Sequence, residues 1–223
     1  MFQINRSDKY IKMEDIQEFA GYGTALISDA MGRYGVMLGI HPIAKGMKLL
    51  GPAVTVQTYR CDNLMIHAAI ELARENDVIV VDAGGITTTG MWGGFMTEMA
   101  MIKKLGGVVV DGAVRDSEET IEKGFNVFSK AICPQGSNKN DPGSVNVPIA
   151  CGNVVVKPGD IIVGDDDGVV VIPLEKLEEV RMKCRAIAVK EQVNAKALKE
   201  GKTLFELLGT GKQLEAMGLK MPE

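Results

Sequence analysis

The sequence predicts one α/β domain built on a mixed sheet system, with flanking helices and a C-terminal helix. Three observations carry this. Val78-Ile79-Val80-Val81 and Val108-Val109-Val110 are continuous β-branched runs, the pattern of parallel strands buried on both faces. A helical stretch from about Gly94 to Leu105 lies between them, so strand, helix and strand form a right-handed parallel crossover. Downstream, Val154-Val155-Val156, Ile161-Ile162-Val163 and Val169-Val170-Val171-Ile172 are short strands parted by the turns Pro158-Gly159-Asp160 and Asp165-Asp166-Asp167-Gly168.

The elements follow in order. Met13-Glu14-Asp15-Ile16 opens a short helix that Gly21-Tyr22-Gly23 breaks; Ala25 to Met31 forms a second, stopped by Gly32. Residues 50–58 alternate as a strand does. Asn63 to Glu75 has helical periodicity, with Leu64, Ala68 and Leu72 on one face. The strand at 78–81 ends in Asp82-Ala83-Gly84-Gly85 and a loop rich in Gly and Thr. A charged helix from about Leu174 to Glu200 and a short, Gly-broken tail close the chain. No repeat, low-complexity segment or linker divides residues 1–223.

Composition narrows the function. A net charge of −4 with no Lys/Arg block argues against nucleic acid, which needs a basic patch to neutralise phosphates. No apolar stretch approaches about 18 residues, so nothing predicts a membrane span. Residues Met1 to Arg6 lack an apolar signal core, which predicts a cytoplasmic protein. Cys61, Cys133, Cys151 and Cys184 have no CxxC spacing and read as reduced thiols. With only His41 and His67, a His-rich zinc site is excluded. Any metal should sit on carboxylates and water, which favours Mg²⁺ or Mn²⁺.

The spacing builds one site. From Gly94 the helix runs about 11 residues away from the sheet edge, roughly 16 Å at 1.5 Å per residue. The strand from Gly107 to Asp111 returns roughly 17 Å at 3.3 Å per residue. Gly93-Gly94 and Arg115-Asp116 should therefore emerge together at the carboxyl edge of the parallel strands, where open α/β sheets bind ligands. Gly93 and Gly94 allow close backbone approach, and the Phe95 and Met96 amides at the helix start suit an anion. Arg115 offers a donor fork for a carboxylate, and Asp116 offers a hard oxygen. A carboxylate held beside a metal on Asp116 describes a site for a 2-oxo acid.

Other motifs read as structure. Asp165 to Gly168 lacks the downstream glutamate of a calcium loop and reads as a turn. Gly209-Thr210-Gly211-Lys212 lacks the strand and glycine of a phosphate loop and reads as a surface turn. Met91, Met96, Met99 and Met101 read as core filling, with Met96 also able to line the pocket. His67 reads as a packing or supporting residue. Lys103 and Lys104 sit at the far end of the helix, and no lysine reads as desolvated at the site, which disfavours Schiff-base chemistry. A methyltransferase reading fails for want of a glycine-rich strand–helix motif followed by an acidic ribose partner.

Trp92-Gly93-Gly94, the stretch from Gly107 to Asp116 and Glu119 resemble the RraA-like family. The similarity is to its 4-hydroxy-4-methyl-2-oxoglutarate / 4-carboxy-4-hydroxy-2-oxoadipate aldolase branch. Gly51 to Val56, Asp62-Asn63, Gly143 to Ile149 and Pro158 to Gly168 extend the match from about Tyr22 to the end. The resemblance implies a swivelling β/β/α-type domain assembled as a homotrimer or a hexamer of two trimers. It implies that the segment 174–223 packs on a neighbouring subunit. By the same resemblance, Gly93 to Met96 bind the pyruvate part of the substrate, Arg115 contacts it and Asp116 ligates Mg²⁺ or Mn²⁺. Glu191 from a neighbouring subunit would reach the metal's water shell, and Glu119 would support it.

The implied reaction is class II retro-aldol cleavage releasing pyruvate, with oxaloacetate decarboxylation through the same enolate. Gly94 departs from the branch, which tends to carry an acidic residue there. A metal-free, protein-binding regulator of an RNA-degrading enzyme is the alternative; Asp116 argues against it.

Overall fold

The structure, a computed structural model, describes residues 2–7, 11–219 and 221. Of the expected tail, residues 220, 222 and 223 lie outside the described residues. The chain divides into two compact units, Met1–Arg181 and Met182–Glu223.

The first unit contains helices α1 (Met13–Ile16), α2 (Thr24–Ala30), α3 (Leu64–Leu72), α4 (Gly94–Ile102) and α5 (Ser117–Glu122). Its strands are β1 (Val36–Met37), β2 (His41–Pro42), β3 (Leu49–Gln57), β4 (Val78–Trp92), β5 (Gly107–Val114) and β6 (Val127–Ile132). They continue with β7 (Ser144–Val145), β8 (Ile149–Cys151), β9 (Val154–Val156), β10 (Ile161–Asp165) and β11 (Gly168–Ile172). Helix α6 (Leu177–Lys199) crosses the boundary between the units, and α7 (Leu204–Leu207) and α8 (Thr210–Ala216) lie in the second.

The mixed sheet is as the sequence predicts. Its order is β1-β11-β10-β3-β4-β5-β6-β2, with β7 against β3; β8 and β9 pair separately. Strands β3 to β6 are parallel neighbours, and β10, β11, β1 and β2 add antiparallel edges. Every position of β5 is buried, which is why its run is unbroken. Alternation divides the strands between two cores. Ile79, Val81, Val108 and Val110 pack with Met65 and Ile66 of α3 and Met96 and Ala100 of α4. Val78, Val80 and Val109 pack on the other face with Phe128, Ile162, Val169 and Val171.

Four expectations change. The segment after Asp82 is not a loop, because β4 continues to Trp92 with three register shifts against β5. From Asp82 to Trp92 the chain makes ten residue steps while β5 makes three, from Asp111 to Val114. Gly84 and Gly85, at φ 65° and 73°, supply the left-handed turns such a bulge needs. Helix α4 stops at Ile102 rather than Leu105, and α3 stops at Leu72 rather than Glu75. Gly209 to Lys212 is not a surface turn: Gly209, at φ 64°, precedes α8, and the other three residues are its first turn. Of the methionines, Met91 and Met96 are core, whereas Met99 and Met101 are exposed.

A buried polar link sets α4 against α5. The Trp92 Nε1–H donates to Thr97 Oγ1 at 2.9 Å, and Thr97 Oγ1 lies 3.2 Å from Thr120 Oγ1. The Trp92 indole stacks on Phe125, centroids 6.0 Å apart. Thr97→Val keeps the shape and removes the acceptor, leaving the indole N–H unpaired in the core. The expected loss is about 1–3 kcal/mol, read as a lower urea midpoint.

Candidate active site at the carboxyl edge of the parallel strands

Trp92 pairs with Val114, and the Arg115 N–H donates to the Trp92 carbonyl at 2.8 Å. Gly93 and Arg115 thus leave the sheet side by side. The convergence expected from spacing is present. The Gly94 N–H donates to Asp116 Oδ2 at 2.9 Å, and Arg115 Nε lies 3.4 Å from the same oxygen.

Asp116 is bent to this task. It precedes α5 at φ 53° and ψ 40°, a left-handed conformation that costs a non-glycine residue about 1–3 kcal/mol. Its carboxylate does not cap its own helix but accepts from the first residue of α4, where the helix dipole favours an anion. Glycine is required opposite. A Cβ at Gly93 would lie 2.7 Å from Asp116 Oδ2 and 3.0 Å from Arg115 Nε. Arg115 also threads between glycines: a Cβ at Gly90 would meet its Cβ at 2.9 Å, and one at Gly136 its Nη1 at 2.9 Å.

Beside this junction lies a cavity of about 110 Å³. Gly93, Gly94, Phe95, Met96 and Arg115 line it, with His67 of α3 and Asn63 just before that helix. Ser137 and Lys139 come from the loop between β6 and β7. The Met96 N–H is not free, as the sequence suggested, but donates to the Gly93 carbonyl at 3.1 Å, tightening the first turn. Among the described residues no acceptor meets the Phe95 N–H, so one of the two expected amides remains for a ligand. The Phe95 ring is 93% exposed.

Asn63 Nδ2 donates to the Met91 carbonyl at 3.1 Å, which turns Oδ1 away; that oxygen is buried and unpartnered. A buried acceptor at a cavity wall calls for a donor from a ligand or water. His67 stands at the exposed mouth. Partial burial, and then the Lys139 charge, push its pKa below the usual 6.5. Lys139 lines the cavity but is exposed, so it is not a desolvated lysine.

Glu119 ion-pairs with Lys123 at 2.8 Å, and Lys123 pairs with Glu98 of α4 at 2.5 Å. The Glu119 carboxylate fills the space a side chain at 94 would need: a Cβ there would lie 2.5 Å from its Oε2. Glu191 lies on α6 in the second unit. Asp165 is committed to structure, accepting from Thr24 N–H and Oγ1–H at 2.9 and 2.6 Å, so the calcium decoy is a hairpin turn.

Asp116 fits a cation of one kind. Its Oδ1 has no protein partner among the described residues, and its side chain is 40% exposed. Among the described residues no three His, Cys, Asp or Glu side chains gather. The exposed Asp116 carboxylate would serve as a single ligand to an ion such as Mg²⁺, which keeps several waters.

The profile of the RraA-like family (Aldolase/RraA) matches residues 24–171. The chain belongs to the RraA-like family. A relative from Halalkalibacterium halodurans, named provisionally as a 4-hydroxy-4-methyl-2-oxoglutarate aldolase, is 37% identical over 190 residues, 85% of this chain and 90% of that one. The 4-hydroxy-4-methyl-2-oxoglutarate aldolase of Thermus thermophilus is 37% identical over 112 residues, 50% of this chain and 68% of that one. Among solved structures, an uncharacterised Pseudomonas syringae protein superposes with a TM-score of 0.79 at 28% identity, covering 89% of this chain and 98% of that one. Streptomyces coelicolor RraAS2, described as an unusual member of the RNase ES inhibitor RraA family, gives 0.75 at 28% identity, covering 85% and 98%. The relatives' names indicate an aldolase, a lyase.

Of this RraA-like site, the cavity walls at Gly90, Ser137 and Lys139 carry no mark in the sequence. The one available signal is the polar loop at 135–141, long enough to suggest function. Because the folded-state value of His67 is lowered, its stability contribution falls as pH drops below 6.5, where the unfolded chain takes the proton first. An NMR titration should place the imidazole midpoint below 6.5. Lys139→Met should raise it without restoring 6.5, since burial is the larger cause.

Proposed function

We propose that this chain is a divalent-metal-dependent pyruvate aldolase. It cleaves 4-hydroxy-2-oxo acids such as 4-hydroxy-4-methyl-2-oxoglutarate or 4-carboxy-4-hydroxy-2-oxoadipate to pyruvate and a second oxo acid. Decarboxylation of oxaloacetate is the expected side activity. The observation that carries the reading is the meeting of Gly94 N–H, Arg115 and the half-free Asp116 carboxylate beside a small cavity. The names of the relatives support it.

Arg115 binds the substrate's C1 carboxylate; no protein acceptor engages its Nη groups among the described residues. The unpaired Phe95 N–H faces the oxygen on which enolate charge develops, an oxyanion-hole role. The orphaned Asn63 Oδ1 accepts a hydrogen bond from the C4 hydroxyl and orients it. Lys139, at the rim, attracts a second carboxylate. Asp116 would hold Mg²⁺ or Mn²⁺, which when bound would supply Lewis-acid polarisation of the substrate's oxo group. Glu119 holds a carboxylate beside Gly94.

Homotrimers, or hexamers of two trimers, are the proposed assembly, with Glu191 contributed by a neighbouring copy. Met182, Val189 and Val193, exposed at helical spacing on α6, support this. A metal-free regulator of an RNA-degrading enzyme is the rival, favoured by the description of the Streptomyces neighbour; it gives the cavity no task.

Pyruvate release is measured from oxaloacetate and from 4-hydroxy-4-methyl-2-oxoglutarate, with Mg²⁺ and with EDTA. Turnover with Mg²⁺ and its loss with EDTA are expected; no metal-dependent turnover of either substrate sinks the reading. Asp116→Ala and Arg115→Lys should each lower kcat by roughly 10²–10³-fold, the scale of a lost charge-stabilising group. Gly93→Ala should lower kcat/KM at least about tenfold while the fold persists, because its methyl displaces the Asp116 carboxylate.

A further inference from the structure

Asp62 is a charged residue buried to 1% exposure just outside the cavity. Its Oδ1 accepts from the Leu64 N–H at 2.9 Å; its Oδ2 accepts from the N–H groups of Asn140 at 2.6 Å and Asp141 at 3.1 Å. Two backbone bonds flank these contacts, Asn63 N–H to the Asn138 carbonyl at 2.9 Å and Asn138 N–H to the Cys61 carbonyl at 2.8 Å. One carboxylate therefore fastens the start of α3 to the 138–141 segment, 78 residues away in sequence from Asp62 to Asn140.

Both fastened pieces line the cavity. Asn63 immediately precedes α3 and His67 lies on it, while Ser137 and Lys139 come from the loop. The loop has no regular structure of its own, and Asn138, Lys139 and Asn140 are all exposed. Its position rests on Asp62 and on single bridges at Asn138 and Gly136. An ionised carboxylate suits the task, since three N–H groups point at it and it carries no donor of its own. Burial alone raises its pKa, but the amides of Asn140, Leu64 and Asp141 and the charge of Lys139 together hold it below the usual carboxylate value.

We infer that Asp62 is a positioning residue: it sets the separation of Asn63 and His67 from Ser137 and Lys139, and through it the affinity for the anionic substrate. The affinity part rests on the pyruvate-aldolase reading; the clamp does not. Asp160 supplies a matched comparison. It is 2% exposed and accepts from Lys157 and Leu174 N–H groups at 2.8 and 3.0 Å, but it serves a turn that contributes nothing to the cavity.

The test uses the full chain with Asp62→Asn, Asp62→Ser and Asp160→Asn. Asparagine sets an N–H₂ against the amides of the loop or of α3, whereas serine keeps one oxygen acceptor in a smaller volume. Amide hydrogen exchange in the wild type should show Asn140 and Asp141 protected. In either Asp62 variant these amides should exchange at least about tenfold faster, and in Asp160→Asn they should not change. For pyruvate release, the Asp62 variants should raise KM about tenfold or more with kcat within about threefold, while Asp160→Asn leaves KM unchanged.

Unprotected Asn140 and Asp141 amides in the wild type overturn the clamp without need of any variant. An active wild type whose KM is the same in Asp62→Ser, or shifts equally in Asp160→Asn, overturns the positioning role. A wild type that turns over neither substrate overturns the aldolase reading instead, and the clamp is then decided by exchange alone.

Discussion

The hydrogen bond from the Gly94 N–H to Asp116 Oδ2 is the constraint on which the site depends. It joins the ends of two strand–helix crossings, β4 to α4 and β5 to α5, at one oxygen atom. That oxygen also sits 3.4 Å from Arg115 Nε, so the guanidinium and the helix terminus are referenced to the same point. An exposed Arg–Asp pair adds little to stability. Its value here is geometric. The left-handed backbone at Asp116 and the missing side chain at Gly93 are the local concessions that let the atoms meet.

Around that point the molecule is stiff where it must be. Trp92, Thr97 and Thr120 lock α4 to α5 from beneath, in the apolar core. Asp62 does the corresponding work for the 138–141 segment, through hydrogen bonds to a buried charge. The cavity is thus bounded by one wall held through packing and one held through electrostatics.

Much of this was legible in the sequence, for physical reasons. Strands buried on both faces leave unbroken runs of Val and Ile, so β4, β5, β10 and β11 announce themselves. Helix and strand rise per residue then bring Gly94 and Arg115 to one edge by arithmetic, and errors of a few residues at Ile102 and Val114 do not disturb the result. The rest depends on contacts distant in the chain. Nothing near Lys139 says that it will meet His67, because the bond that brings it there starts at Asp62. The Met96 amide looked available since helix starts leave donors unpaired, yet a tight first turn returned it to Gly93. Sheet pairing also kept Gly84 to Trp92, which composition marks as a loop, inside β4.

That long, bulged end of β4 gives the frame slack. Asp82 and Trp92 are both held in register with β5, while the residues between them outnumber their partners and leave the ladder in excursions. Changes of length or composition in the unpaired excursions at 83–85 and 87–89 need not propagate to Asp82 or Trp92, so these can be reshaped while Gly93 and Arg115 keep their places. Gly90 is excepted, since a side chain there would meet Arg115. A scaffold of this kind separates the part that must be preserved from the part free to drift, and lets one set of reactive groups serve beside many different rims.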